Sequence, residues 1–184
     1  IAEELFDKQP DILINISASA YYWGKQGQRL DTLTRIVNKY SVPFVYVNQV
    51  GGNDELVFDG SSMIFDSKGN LIIQAKSFEE DFIMFDTEKG YNALEIVDED
   101  ISWIYNGLVL GTRDYLHKTG FTKALIGMSG GVDSALVTCI AVDALGKDNV
   151  LGVYMPSRYS SEHSRNDAQK QAENLGIEFR IIPI

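Results

Sequence analysis

Between Ala124 and Ile182 short apolar runs alternate with helical stretches, and no other feature restricts the fold as much. Ala124 to Met128 reads as a strand, and Ser134 to Leu145 as a helix closed by Gly146. Val150 to Met155 reads as a strand stopped by Pro156, Ser164 to Leu175 as a helix, and Ile177 to Ile182 as the next strand. In the second helix Ser164 is the expected N-cap, Asp167 stands at the third helical position, and Gly176 follows the end. Strands joined by short crossover helices must run parallel, so a doubly wound parallel sheet is predicted.

The joint between the first strand and first helix is Ser129-Gly130-Gly131-Val132-Asp133-Ser134. Open parallel sheets bind ligands outside the carboxyl ends of their strands, and this loop lies there. Its glycines permit close backbone approach to an anion, and consecutive N–H groups with a helix N-terminus would face it. Adding a side chain at Gly131 is expected to block that approach. Ser129 and Ser134 offer hydroxyl donors. Asp133 beside a phosphate requires an intervening cation, for which Mg²⁺ is the natural choice. The Gly-Lys-Ser/Thr ending of a Walker loop is absent, and so is dinucleotide Gly-x-Gly-x-x-Gly spacing. A second segment, Met155-Pro156-Ser157-Arg158-Tyr159-Ser160-Ser161, follows the next strand on the same rim, where Arg158 and Ser157 could meet phosphate.

The first half follows a different pattern. Asp11 to Ile16 reads as a buried strand, Gln26 to Tyr40 as a helix, and Phe44 to Val47 as a second strand. Gly51 to Asp54 reads as a loop, Ser62–Phe65 and Leu71–Ala75 as a β-hairpin, and Phe82–Phe85 as a further strand. Thr87 to Asn92 is a polar linker. A long helix follows from about Ile101 to His117, ended by Gly120. Asp98, Glu99 and Asp100 read as the solvated or N-terminal end of a helix. Tyr21, Tyr22 and Trp23 could wall a pocket or simply pack locally.

The net charge of -10 argues against a basic nucleic-acid face. No apolar run reaches the ~18 residues that span a bilayer. The single cysteine, Cys139, permits no internal disulfide and suits a reducing, cytoplasmic setting. It falls inside a helix and reads as a small buried core residue. His117 and His163 show no metal-ligand spacing with it. The chain starts without Met and stops in mid-pattern, so an internal piece of a longer protein is expected.

The loop resembles the signature of the ATP-pyrophosphatase superfamily, whose members cleave between the α- and β-phosphates of ATP. Together with Asp114-Tyr115-Leu116, Gly127-Met128, Ala144-Leu145-Gly146, the Met155–Ser161 run, Asp167-Ala168 and Asn174-Leu175-Gly176, it resembles the NAD synthetase family over about residues 95–184. Leu13 to Ser19, Tyr46 to Gly52 and Phe58 to Ser62 resemble the carbon–nitrogen hydrolase (nitrilase) superfamily, as in the glutaminase domain of glutamine-dependent NAD synthetases. The resemblance implies a partial nitrilase-like α+β sandwich over residues 1–90 and part of an adenine-nucleotide α/β domain over 91–184. It implies ATP-dependent amidation of deamido-NAD, with AMP and pyrophosphate released and ammonia drawn from glutamine.

On that resemblance ATP and Mg²⁺ are held by Gly127, Met128, Ser129, Gly130, Gly131, Val132, Asp133, Ser134, Ser157 and Arg158, with Asp133 on the metal. Ser19 and Lys25 match positions that contact glutamine, although Ala20 departs from the family's usual proline. The Glu–Lys–Cys triad is expected upstream of Ile1, so no catalytic residue is assigned within the chain. A homo-oligomer, with neither nucleic acid nor membrane as partner, is implied for the full-length protein. Two other readings stay open: another ATP-pyrophosphatase, such as a GMP synthetase or a tRNA-thiolating enzyme, and a module that binds nucleotide without turning it over. A nitrilase-type amidase would leave the second half unexplained.

Overall fold

The computed structural model describes residues 2–96 and 98–184. It divides into two compact units, one of residues up to Gly51 with Glu55–Gly107, the other of Gly52–Asp54 with Leu108–Ile184. No helix among the described residues is long and apolar enough to cross a membrane.

The first unit contains a short helix α1 (Ala2–Phe6), β1 (Leu13–Ser17), α2 (Lys25–Tyr40) and β2 (Phe44–Asn48). After these come β3 (Val50–Asn53), of which only Val50 and Gly51 belong to this unit, β4 (Leu56–Asp59), β5 (Met63–Phe65) and β6 (Leu71–Gln74). One sheet has the order β1-β2-β5-β6, and β3 and β4 form a separate two-stranded ribbon. β1 and β2 are parallel, from Leu13 opposite Phe44 to Ser17 opposite Asn48, whereas β5 and β6 join antiparallel. Along α2, Gln26, Arg29, Leu30, Leu33 and Val37 recur at helical spacing and are buried. The three aliphatic residues pack on Phe44, Tyr46, Met63, Phe65 and Leu71, each buried side chain of this size contributing roughly 1.5–3 kcal/mol. The helix stops where Ser41 turns left-handed (φ 53°) and returns its N–H to the Val37 carbonyl at 2.7 Å. In the β5–β6 turn, Asp66 accepts from the N–H groups of Lys68 and Asn70, both at 2.9 Å. Partial burial acts to raise the Asp66 pKa, but these bonds and one from the Asn70 side chain outweigh it and hold it below the ordinary value.

Several expectations for this half need correction. Within this chain β1 is covered on one face only: Leu13 packs against the core under α2, whereas Ile14 and Ile16 are 59% and 84% exposed. Gly51–Asp54 is not a loop. The turn needs only Asp54 and Glu55, and both glycines lie within β3. Phe82–Phe85 forms no strand; Phe82 and Met84 are more than four-fifths exposed and no neighbouring strand pairs with them. Helix and strand are absent among the described residues from Glu79 to Asp100. Asp100 then caps α3 (Ile101–Lys118), accepting from Ser102 N–H at 2.9 Å. Hydrogen bonds from the Ser102 hydroxyl and N–H hold the Asp100 pKa below the carboxylate norm.

The second unit contains β7 (Ala124–Gly127), α4 (Val132–Leu145), β8 (Val150–Tyr154), α5 (Glu162–Leu175) and β9 (Glu178–Ile181). The strands are parallel in the order β7-β8-β9, as the alternation predicts. Small residues face inward from the helices, Thr138, Ala141 and Ala144 on α4 and Ala168 and Ala172 on α5. Of these, Ala141, Ala168 and Ala172 pack with Met128, Val150, Tyr154 and Ile177. Gly152 of β8 admits the Met128 sulfur, which would stand 2.5 Å from a Cβ there.

Three details differ from expectation. The N-cap of α5 is Ser161, whose hydroxyl accepts from Ser164 N–H at 3.1 Å, so Ser164 lies in the first turn. Asp167 is therefore past the first turn, where it meets His163 Nδ1 at 2.7 Å. Cys139 is only partly buried, with Gln171 Nε2 at 3.9 Å from its sulfur, and its neighbour Thr138 fills the core position instead.

Candidate functional site

β7 delivers the chain to the rim at Gly127, and the next residue turns inward. Met128 donates its N–H to the Val153 carbonyl at 2.8 Å and buries its side chain, leaving only its backbone for a ligand. At Gly130 the backbone is left-handed (φ 78°), and a Cβ there would stand 2.3 Å from the Ser164 carbonyl oxygen. That close approach to the start of α5 fixes glycine at position 130 for steric reasons. Gly131, by contrast, has ordinary extended backbone (φ -94°) and only the Ser129 Oγ at 3.4 Å. Packing within the protein thus demands glycine at 130, while the demand expected at Gly131 concerns approach to a bound phosphate.

The two serines close the loop on itself. Ser129 N–H donates to Ser134 Oγ at 3.2 Å, Gly131 N–H donates to Ser129 Oγ at 3.3 Å, and Ser134 Oγ donates to the Gly131 carbonyl at 2.9 Å. The hydroxyls shape the turn, and the free donors are backbone. α4 starts at Val132 with Gly131 as N-cap and no side-chain cap; its first intrahelical bond runs from Ala135 N–H to the Gly131 carbonyl. The N–H groups of the first turn therefore have no intrahelical acceptor and carry the positive end of the helix dipole. Asp133 is exposed in this turn and Val132 is 80% exposed.

Beside the loop lies a cavity of about 420 Å³, lined by Ser129, Tyr154, Met155, Tyr159, Ser160 and Ser161 among others. Ser157 and Arg158, expected here, do not line it. Ser157 Oγ accepts from Tyr159 N–H at 3.2 Å within its own turn, and the Arg158 guanidinium sits 4.8 Å from the Tyr159 ring centroid. Tyr159 and Met155 line it unforeseen; both belong to the segment read as significant, but nothing in their spacing showed which side chains turn inward. A cavity of about 500 Å³ lies at the opposite end of the sheet, near Lys123, Lys147 and Glu178. It is at the amino ends of the strands, the wrong rim for a ligand of a parallel sheet.

In the first unit, Ser19 and Lys25 do come together, in a cavity of about 230 Å³ shared with Ser17, Arg29, Thr32 and Tyr46. Its floor is a buried ion pair. Arg29 donates two hydrogen bonds to Asp59, at 2.8 and 2.9 Å, and Asp59 has no solvent exposure. Asn48 donates to Asp59 at 3.3 Å and accepts from Ser19 N–H at 2.9 Å, while Arg29 Nη2 reaches the Ser19 carbonyl at 3.3 Å. Burial acts to lower the Arg29 pKa, but the bonds and charge of Asp59 overcome it and raise the pKa, so the guanidinium stays charged. Arg29 Nε and the Tyr46 hydroxyl are buried here without a hydrogen-bond partner. None of Arg29, Asn48 and Asp59 was singled out from the sequence: Asn48 and Asp59 lie within the Tyr46–Gly52 and Phe58–Ser62 runs and Arg29 is a lone arginine on the buried stripe of α2, but nothing in their spacing shows that they meet.

Tyr21 packs edge-on against Phe78 at 5.1 Å and lies near Trp103, whereas Tyr22 and Trp23 are about half exposed. The Tyr21 pKa is pushed up to about 12, first by burial and then by the charges of Glu99 and Asp59. Lys25 Nζ lies 4.9 Å from the Tyr22 ring centroid.

Residues 104–184 match the family model of NAD synthase. A glutamine-dependent NAD(+) synthetase of Synechocystis is 46% identical over 98% of this chain. The chain belongs to the glutamine-dependent NAD synthetase family. A second member, from Thermotoga maritima, is 40% identical over 94% of the chain. The solved structure of the Acinetobacter baumannii glutamine-dependent NAD+ synthetase in complex with ADP superposes with a TM-score of 0.90 at 41% identity, covering 99% of this chain and 36% of that one. The chain spans about a third of the curated relatives it matches, 34% of the Synechocystis protein and 36% of the Thermotoga one.

Proposed function

We propose that the full-length protein converts deamido-NAD, ATP and ammonia into NAD, AMP and pyrophosphate, with glutamine as the ammonia source. Residues 91–184 would supply part of the ATP-pyrophosphatase domain and residues 1–90 part of the glutaminase domain. The observation that carries the reading is the uncapped N-terminus of α4 beside the left-handed turn at Gly130. Bound Mg·ATP would supply the phosphorus that accepts the nicotinate carboxylate oxygen and a pyrophosphate leaving group.

The chain's own part is to hold and orient. Backbone N–H groups of Val132, Asp133 and Ser134, at the start of α4, would face the phosphate chain, since those of Met128, Ser129 and Gly131 already have acceptors within the protein. Asp133 fits a Mg²⁺ carried in with the phosphates. No group of three or more His, Cys, Asp or Glu gathers among the described residues, so phosphate oxygens and water would complete the ion's shell. Arg158, next in sequence to the cavity-lining Tyr159, would leave that ring to meet a phosphate. In the first unit Lys25 would hold the glutamine α-carboxylate and Ser19 a polar group of the amide donor. The homologue's complex with ADP supports a nucleotide site on this fold.

Phosphorus NMR of the full-length protein with Mg·ATP, deamido-NAD and ammonia tests this. AMP, pyrophosphate and NAD in equal amounts are expected; ADP and phosphate would overturn the reading of the loop.

A further inference from the structure

We propose that Glu99 is a positioning residue of the amide-donor pocket, holding the backbone on both sides of Lys25. The inference rests on the donor reading of the Ser19–Lys25 cavity. Helix α2 opens at a left-handed Gly24 (φ 86°) that has no side chain, no side-chain cap and no acidic residue in the first turn behind it. Such a terminus leaves N–H groups to water and lets the first turn fray.

Here a residue 73 to 75 positions away closes it. Glu99 Oε2 accepts from Gly24 N–H and Oε1 accepts from Gln26 N–H, both at 2.7 Å. Between them, Lys25 N–H donates to the Tyr22 carbonyl at 2.9 Å. Three consecutive N–H groups centred on Lys25 are thereby held, two of them by one carboxylate. A lysine ammonium on a four-carbon stem fixes a ligand only as well as its backbone is fixed. Ser19, across the cavity, is held by a different carboxylate, Asp59, through Asn48 and Arg29.

Charge and position predict opposite signs. An anion at a helix N-terminus weakens the local attraction for a ligand carboxylate, so if Glu99 acted by charge alone its removal would tighten glutamine. If it acts by position, removal loosens glutamine.

The test uses the full-length enzyme with glutamine and, separately, with ammonia. Glu99→Ala is expected to raise KM for glutamine about tenfold, the scale of one charge-assisted hydrogen bond. Glu99→Gln keeps one carbonyl acceptor and should fall between. The ammonia-supported kcat should not change, and amide exchange at Gly24 and Gln26 should accelerate in Glu99→Ala. A KM for glutamine that is unchanged or lower overturns the inference, as does a parallel fall of both activities. Failure of the unmodified enzyme to use glutamine while using ammonia overturns the donor reading and this inference with it.

Discussion

The nucleotide loop and the Ser19–Lys25 cavity are held by bonds of very different reach along the chain. In the loop, Ser129, Gly131 and Ser134 bond to partners two to five residues away, all at the surface. In the cavity, Ser19, Arg29, Asn48 and Asp59 bond across 10 to 30 residues, and the central pair is buried. A local turn can keep its shape wherever its strand and helix form. A cavity assembled from distant segments exists only once the sheet has closed, so its function is tied to the stability of the unit.

Breaking the buried pair should therefore have the largest effect. Asp59→Ala leaves the Arg29 charge buried and unpaired, at a cost of about 3–5 kcal/mol. Urea unfolding monitored by tryptophan fluorescence measures it, and a loss under about 1 kcal/mol would show that the network does not hold the cavity. Gly130→Ala comes next. It forces a Cβ into left-handed backbone and against Ser164, and ATP affinity should drop on the order of tenfold or more while the first unit stays folded. Calorimetric titration with Mg·ATP decides; wild-type affinity would mean the loop can adopt another shape without loss.

A smaller effect sharpens the comparison at high pH. Tyr21 has its folded pKa raised from 10.0 to about 12, so its contribution is intact below pH 10 and is lost as pH rises from there toward 12. Comparing urea melts of the protein with those of Tyr21→Phe at about pH 9 and about pH 11 should show an excess alkaline loss only with the tyrosine. Equal losses would mean the phenol ionises freely. The mildest change expected is Gly131→Ala, since position 131 has ordinary backbone and a nearest atom at 3.4 Å; ATP affinity should change less than about threefold. A loss matching that of Gly130→Ala would place the close phosphate approach at the second glycine after all.

How much was legible follows the same division. The βαβαβ order, the loop's place and the ends of α2 and α3 could all be read from periodicity and capping residues, because those signals act within one or two turns. The false strand at Phe82–Phe85 shows where this fails: an apolar run names a segment fit for a sheet but not whether a partner strand is near. The N-cap of α5 was misplaced by three residues because Ser160, Ser161 and Ser164 all suit a cap, and only the chain's direction out of β8 selects Ser161.

By itself the sequence determined the parallel α/β half, the glycine-containing turn between β7 and α4, and the pairing of Ser19 with Lys25 by resemblance. The tertiary structure alone decided that Gly130 carries the steric demand, that the loop serines bond to each other, and that Asp59 and Glu99 secure the donor cavity. Each of these depends on atoms brought together from segments far apart in the chain, or on which way a side chain turns once its neighbours are packed. Neither is written in local spacing, because burial and hydrogen-bond geometry are properties of the closed fold.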